Sequence, residues 1–261
     1  MKILVLGHKG MLGRAVTKFF AENTNHEVTT ISSRWGESNF NEEVKNHEAD
    51  FIINGIGKIP QKKPLAQDYT SINIELPRFL ETLNTPIVHP STDCEFKGNI
   101  PKGESYTKES VRDADDDYGV SKAIISTKIE QGFKNTKIIR TSIIGHEENS
   151  NLALLDWFLS QSGSVKGYTN HYWNGITTLE WAKQCQNIIE NWSNFPTLNQ
   201  LGTENHYSKF DIVTIAKSVY NKDTEIVPFE TEITINKCLK SDFVLPELEE
   251  QITELKEFFG K

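Results

Sequence analysis

Residues 2–13 constrain the fold of this chain more than any other stretch. Lys2-Ile3-Leu4-Val5-Leu6 is an apolar run of the length of a buried strand, far too short to span a membrane. It runs directly into Gly7-His8-Lys9-Gly10-Met11-Leu12-Gly13, and beyond it Leu12, Val16, Phe19 and Phe20 recur at helical spacing. Strand, glycine turn and helix is the context in which a dinucleotide can be held. Gly7 permits the tight turn, Gly10 lets the backbone approach a pyrophosphate, and Gly13 allows close helix–strand packing. Phosphate would meet the unpaired N–H groups at the helix start, which adds Met11 and Leu12 to the candidate cofactor-binding residues. The spacing is G-x-x-G-x-x-G rather than G-x-G-x-x-G.

Downstream, strand and helix patterns alternate. Glu27 to Ile31 and Asp50 to Asn54 read as strands, and Ile72 to Leu83 has helical spacing with Pro77 either in its first turn or kinking it. Pro86 to Thr92 and Lys137 to Thr141 are further strands, with a helix from Tyr118 to Gln131 between them. Lys97 to Asp117 reads as a long surface loop. Such alternation implies an α/β fold with a doubly wound, mostly parallel sheet covered on both faces. After about Gly145 the pattern loosens into helices near 152–159, 179–192, 209–220 and 248–259. We therefore expect a dinucleotide-binding domain over 1–145 and a smaller C-terminal substrate lobe over 146–261, partly returning to the main sheet.

Two further features carry chemistry. Tyr118-Gly-Val-Ser-Lys122 places a phenol and an ammonium one helical turn apart, on one face. A fixed cation favours the phenolate and so makes the tyrosine a better acid near neutral pH, able to protonate a carbonyl oxygen as hydride arrives at carbon. Upstream, the strand ending in Ser91-Thr92-Asp93 brings a hydroxyl to a carboxyl edge, where ligands of open α/β sheets gather. Thr92 is the candidate partner for the same carbonyl, whereas Asp93 reads first as a turn or cap residue.

Taken together, these residues resemble the extended short-chain dehydrogenase/reductase superfamily and, within it, the dTDP-4-dehydrorhamnose reductase group of sugar-nucleotide 4-ketoreductases. The likeness rests on Gly7/Gly10/Gly13, Asn54-Gly55-Ile56-Gly57, Asn73, Ser91 through Gly98, Asp117 through Lys122 and Arg140-Thr141-Ser142. It continues more faintly through Trp173-Asn174-Gly175 to Leu245-Pro246. The resemblance implies catalysis by Tyr118, Lys122 and Thr92, with the nicotinamide near Tyr118 and the Gly55–Gly57 backbone. It implies reduction of a nucleotide-diphosphate 4-keto-6-deoxy sugar, with Thr92, Asp93, Cys94, Ile143, Trp173 and Asn174 as candidate substrate contacts. Two positions depart from the group: Cys94 stands where it commonly carries Tyr, and Ile143 where it carries Trp, so aromatic surface for the sugar is lost. Trp173 is a candidate replacement.

Cofactor choice turns on the end of the second strand. Ser32-Ser33-Arg34 stands where an acid would hold the ribose of NAD, and Ser33 and Arg34 suit a 2′-phosphate. NADPH is preferred, with NADH left open. The net charge of −8 without a basic stripe argues against nucleic acid or an anionic membrane as partner. Cys94, Cys185 and Cys238 are scattered, and the histidines lack metal-ligand spacing, so no metal site and a reducing cytoplasmic setting are expected. His8 and His89 read as structural. A homodimer stays open. So do an epimerase or dehydratase using the same Tyr and Lys, and a non-catalytic NADP-binding sensor or subunit.

Overall fold

The computed structural model describes residues 1–261. In chain order the elements are β1 (Lys2–Leu6), α1 (Met11–Asn23), β2 (Glu27–Thr30), α2 (Phe40–Lys45), β3 (Phe51–Asn54), α3 (Ala66–Tyr69), α4 (Leu76–Glu81), β4 (Ile87–Ser91), α5 (Asp117–Gly132) and β5 (Thr136–Arg140). The later elements are β6 (Ile143–Ile144), α6 (Leu154–Ser160), β7 (Ser164–Tyr168), β8 (His171–Trp173), β9 (Ile176–Thr177), α7 (Thr178–Glu190), β10 (Leu198–Gln200), β11 (Tyr207–Ser208), α8 (Lys209–Val219), β12 (Glu225–Phe229), β13 (Ile235–Asn236) and α9 (Leu248–Phe259). They form two compact units that alternate along the sequence. One comprises Met1–Ser91, Asp115–Ile139 and Ala182–Asn199, and the other Thr92–Ala114, Arg140–Trp181 and Gln200–Lys261. No helix is long and apolar enough to cross a membrane.

The first unit is built on a six-stranded sheet of order β10-β5-β4-β3-β1-β2, in which β1 pairs parallel with β2 and β3, and β3 with β4. The apolar runs explain it: Ile3 to Leu6 and every residue of β3 are buried, as strands covered on both faces must be. On one side Leu4, Leu6, Ile52 and Ile87 pack with Phe40 and Val44 of α2 and Leu76 and Leu80 of α4. Helix α1 buries Ala15, Val16, Phe19 and Phe20. Strand β10, far along the chain, supplies the edge beyond β5. The order of strand addition reverses at β1, with β2 on one side and β3 on the other, and a crevice at such a switch point is where doubly wound folds bind ligands.

Pro77 sits in the first turn of α4, preceded by a π-helical segment, Thr70–Glu75. A proline has no N–H for the carbonyl four residues back, and the wider π turn accommodates that missing bond. The backbone N–H of Leu76 reaches Ser71 instead.

The second unit carries a three-stranded sheet of order β11-β8-β13 and two short parallel pairs, β12-β7 and β6-β9. Helix α9 buries Leu248, Ile252 and Leu255 at helical spacing and stops at Gly260, whose φ of +64° suits a left-handed cap. The stretch read from sequence as a surface loop is more firmly held than that. Phe96 and Tyr106 are buried and stack with ring centroids 4.1 Å apart, and Asn99 and Tyr106 bridge to Asn236 and Leu239. Aromatic burial anchors a segment that is rich in turn residues.

Candidate active site

In the first unit, the turn after β1 and the turn after β3 are locked together by missing side chains. Gly7 has φ +74°, and a Cβ on Gly13 would lie 2.2 Å from the Gly7 carbonyl oxygen. Gly55 is equally constrained, since its Cβ would fall 2.7 Å from the Leu6 oxygen. The Gly10 N–H bonds to the Gly7 carbonyl at 2.9 Å, and Gly10 is the N-cap of α1. No side chain caps that helix, and no acid stands in its first turn. Its N–H groups at Met11 and Leu12 therefore form the positive end of the helix dipole, with no acid of the first turn to offset it. Met11 is half-buried and Leu12 packs into the core, so they offer backbone rather than side chains. A Cβ on Gly57 would meet no atom within 4 Å, which leaves that backbone open to a ligand. This cradle, at the switch point, fits a dinucleotide pyrophosphate.

Two buried amides set the rest of this loop. Asn54 accepts from the Ile56 N–H at 3.1 Å, and its Nδ2 donates to His89 Nδ1 at 3.1 Å. His89 is thereby an acceptor at Nδ1. Burial, and then the charge of Lys122, hold its pKa well below the ordinary histidine range. Asn73 lies on the π-helical segment and accepts from the Lys58 N–H at 2.9 Å, while its Nδ2 donates to Lys58 O at 3.2 Å and to Ser121 Oγ at 3.0 Å.

Helix α5 brings Tyr118 and Lys122, the pair expected to carry the chemistry, into the same unit. Asp116 caps it, accepting from the Gly119 N–H at 2.9 Å, so Tyr118 falls in the first turn. Tyr118, Lys122 and Ser126 succeed one another at i, i+4 and i+8, along one face. Lys122 is buried and donates to the Pro90 carbonyl at 3.0 Å, and Ser126 Oγ lies 2.9 Å from Ser91 Oγ. The C-terminal end of β4 thus fixes the helix face that carries the phenol. The Tyr69 ring lies 6.1 Å from that of Tyr118. Beyond β2, Ser33 Oγ donates to Glu43 at 2.6 Å, and the exposed Arg34 has its N–H held by Glu37 at 2.9 Å.

In the second unit, Thr92 caps a short turn: its Oγ1 accepts from the Cys94 N–H at 3.1 Å and donates to Asp93 Oδ1 at 3.0 Å. The capping role expected of Asp93 thus belongs to its neighbour. Burial raises the Asp93 carboxyl, opposed by the Lys237 charge and by hydrogen bonds with Thr92, Cys94 and Ser142. Burial, and then Asp93, push the Cys94 thiol up to about 12, so it is no thiolate. Glu95, which sequence reading passed over, is fully buried and takes Arg112 Nε at 2.6 Å and Arg140 Nη2 at 2.8 Å. Ile143 pairs with Ile176. Trp173 is half-buried, its ring against Gly175, where a Cβ would fall 2.2 Å from Trp173 Cζ2.

Asn174, expected among the substrate contacts, has a different task. Its Nδ2 donates to Thr203 O at 2.9 Å and Leu239 O at 2.8 Å, and its Oδ1 accepts from the Leu239 N–H at 2.8 Å. A buried amide so engaged fastens two loops and has little capacity left for a ligand. Residues missed from sequence include Ser121, Ser126, Tyr69, Glu95 and Arg112. Only Glu95 and Ser121 lay inside a stretch already singled out.

Solved structures share this fold. A dTDP-4-dehydrorhamnose reductase from Clostridium acetobutylicum superposes with TM-score 0.83 at 18% identity, covering 100% of both chains. The dTDP-4-dehydrorhamnose reductase of Bacillus anthracis, in complex with NADP, gives 0.81 at 15% identity, covering 97% of this chain and 98% of that one. The dTDP-glucose 4,6-dehydratase of the same organism, in complex with NAD, gives 0.78 at 13% identity, covering 100% of this chain and 96% of that one. No curated protein matches the chain in sequence. The profile of the NAD dependent epimerase/dehydratase family matches residues 3–141, more than half of the sequence and the whole of the glycine cradle and the Tyr118–Lys122 helix. The chain belongs to the NAD dependent epimerase/dehydratase family.

Proposed function

We propose that this protein is a nicotinamide-dependent sugar-nucleotide reductase that converts the 4-keto group of a nucleotide-diphosphate 4-keto-6-deoxy sugar to a hydroxyl. The observation that carries the reading is the Tyr118–Lys122 pair, held by the end of β4 in the same unit as the glycine cradle. When bound, the dihydronicotinamide supplies a hydride to the ketone carbon. The backbone of Gly7, Gly10, Met11, Leu12 and Gly13 holds the pyrophosphate, and Asn54 through Gly57 line the approach to the ring. Tyr118 gives its phenolic proton to the ketone oxygen, so carbon gains hydride, oxygen gains a proton, and the phenolate is reprotonated from water. Lys122, as a fixed cation, stabilises that phenolate and would help to hold the cofactor's ribose. Thr92, next in the chain after β4, orients the ketone. Asp93, Cys94, Ile143 and Trp173 belong to the sugar site.

NADPH is assigned as the preferred reductant through Arg34 and Ser33, and the second unit is assigned the sugar nucleotide. The likeness to reductases supports the reaction, and the likeness to a dehydratase keeps a second reading in view. An epimerase or dehydratase would use the same Tyr and Lys but return its hydride, with no net oxidation of the cofactor. A panel of 4-keto sugar nucleotides, followed by loss of reduced-nicotinamide absorbance, separates the two. One equivalent of NADPH consumed per product, and near-complete loss of turnover in Tyr118→Phe with cofactor affinity retained, is the expected result. Full activity in that variant overturns the assignment.

A further inference from the structure

We propose that His89 is a positioning residue for the cofactor. As a neutral acceptor it fixes the Asn54 amide, and through that amide the Ile56 N–H and the turn after β3. The proposal rests on the reading of Asn54 through Gly57 as cofactor-binding.

The sheet register brings the two side chains together. Ile52 pairs with Ile87 and Ile53 with Val88, so Asn54 and His89 form the next rank, at the carboxyl ends of β3 and β4. Both are buried. Leu6 of β1 pairs with Asn54 from the other side. Asn54 therefore stands where three strands end, on the edge at which doubly wound folds bind ligands.

Both ends of the amide are committed. Asn54 Oδ1 accepts from the Ile56 N–H at 3.1 Å, which turns Nδ2 toward His89 Nδ1, 3.1 Å away. Nδ2 can only donate, so Nδ1 holds a lone pair and the imidazole carries its proton on Nε2. A proton on Nδ1 would set two donors against each other and favour the reversed amide, whose nitrogen would then face the Ile56 N–H. Burial, and then the charge of Lys122, keep the ring neutral and the acceptor available. Nε2, by contrast, has no hydrogen-bond partner. A buried donor without an acceptor costs stability, so packing alone would favour an apolar side chain at this position. The side-chain hydrogen bond that the imidazole does make is the one to Asn54.

That bond holds a turn with no slack. A Cβ on Gly55 would fall 3.0 Å from Gly13 Cα, and one on Gly7 would fall 2.8 Å from the Gly55 carbonyl. The Gly55 N–H also donates to Leu6 O at 2.9 Å. A turned Asn54 thus frees the Ile56 N–H beside the same backbone that forms the glycine cradle. Affinity falls when a site must be ordered at the moment of binding.

The experiment compares His89→Leu, which keeps apolar filling and loses the acceptor, with His89→Asn, whose carbonyl oxygen can stand in for Nδ1. Hydrogen exchange at the Ile56 amide is followed in the free protein, and NADPH and NADH affinities by fluorescence titration. We expect His89→Leu to speed exchange at Ile56 and to weaken both cofactors by roughly tenfold, while His89→Asn stays within about threefold of wild type. Thermal midpoints should run the other way, with His89→Asn the lower, because its smaller side chain leaves a cavity. Cofactor affinities that simply follow the thermal midpoints overturn the proposal, since a merely structural histidine would give that order. Wild-type exchange and affinity in His89→Leu overturn it too, as does faster exchange with unchanged affinity. A wild type that binds neither cofactor overturns it together with the cofactor reading. One that binds NADPH yet reduces no keto sugar overturns the reductase reading alone.

Discussion

Asn73 Nδ2 donates to Ser121 Oγ at 3.0 Å, and both side chains are buried. Ser121 lies between Tyr118 and Lys122, and Asn73 also clamps both backbone groups of Lys58, so one amide ties the helix of the reactive pair to the loop after β3. Asn73→Ala should leave the Lys58 backbone groups without that amide and remove the bond to Ser121, whose hydroxyl still donates to the Tyr118 carbonyl at 2.7 Å, at a stability cost of about 1–3 kcal/mol. Turnover should fall by more than about tenfold, because the acid is no longer held to a fixed geometry. Chemical denaturation and single-turnover kinetics check this; intact kcat with lowered stability would reduce Asn73 to a structural role.

Arg34, proposed to read a 2′-phosphate, follows β2, with Glu37 on its backbone N–H and Glu43 on the neighbouring Ser33. Arg34→Ala should raise the Kd for NADPH by about tenfold or more and leave NADH nearly unchanged, since a charge-assisted bond to phosphate contributes about 1.5–3 kcal/mol. Parallel fluorescence titrations with both cofactors measure the ratio. A shift of equal size for both would remove Arg34 from cofactor discrimination.

Glu95 is the only carboxylate placed between Arg112 and Arg140 in the contacts described above, and Arg140 is fully buried with its guanidinium 5.4 Å from the Phe96 ring centroid. Glu95→Gln keeps the shape but removes the carboxylate charge that lies 2.8 Å from the buried guanidinium of Arg140. We expect a loss of about 3–5 kcal/mol, read as a drop in the thermal midpoint. A change below about 1 kcal/mol would mean that the other contacts of Arg140 carry its charge.

Acid should destabilise the protein partly through His89. Burial and Lys122 depress its native pKa, so between that low value and the ordinary value of about 6.5 the unfolded chain binds a proton that the native state refuses. Stability therefore rises with pH across that window and is lost as pH falls below about 6.5, by about 1.4 kcal/mol per pH unit for one such group. Comparing urea midpoints between pH 7 and 5 for wild type and His89→Gln isolates this contribution from the other histidines. Identical slopes would show that His89 takes no part.

Legibility from sequence followed locality. The strand–turn–helix at residues 1–23 is a short-range structure, and its apolar period and glycines state it outright, whereas the helix from Asp117 buries Ser121, Lys122 and Ser126 and is marked by its Asp116 cap. The candidate chemistry was legible for the same reason, because Tyr118 and Lys122 are four residues apart on one helix. What sequence hid depends on distant partners. Asn174 reads as polar and loop-borne, yet its amide bonds to residues 203 and 239. The strands β8, β12 and β13 are too short or too exposed to carry an alternating pattern, so only pairing defines them.

The position of β10 has a consequence for biosynthesis. Strand β5 receives its outer neighbour only when residues 198–200 emerge from the ribosome, with Ile138 donating its N–H to Thr197. Until then a nascent polypeptide carries an open strand flank beside buried isoleucines, a template for pairing with another chain. Truncation anywhere before that point should therefore yield aggregates rather than a soluble cofactor-binding fragment, and chaperone dependence should peak during synthesis of the intervening segment.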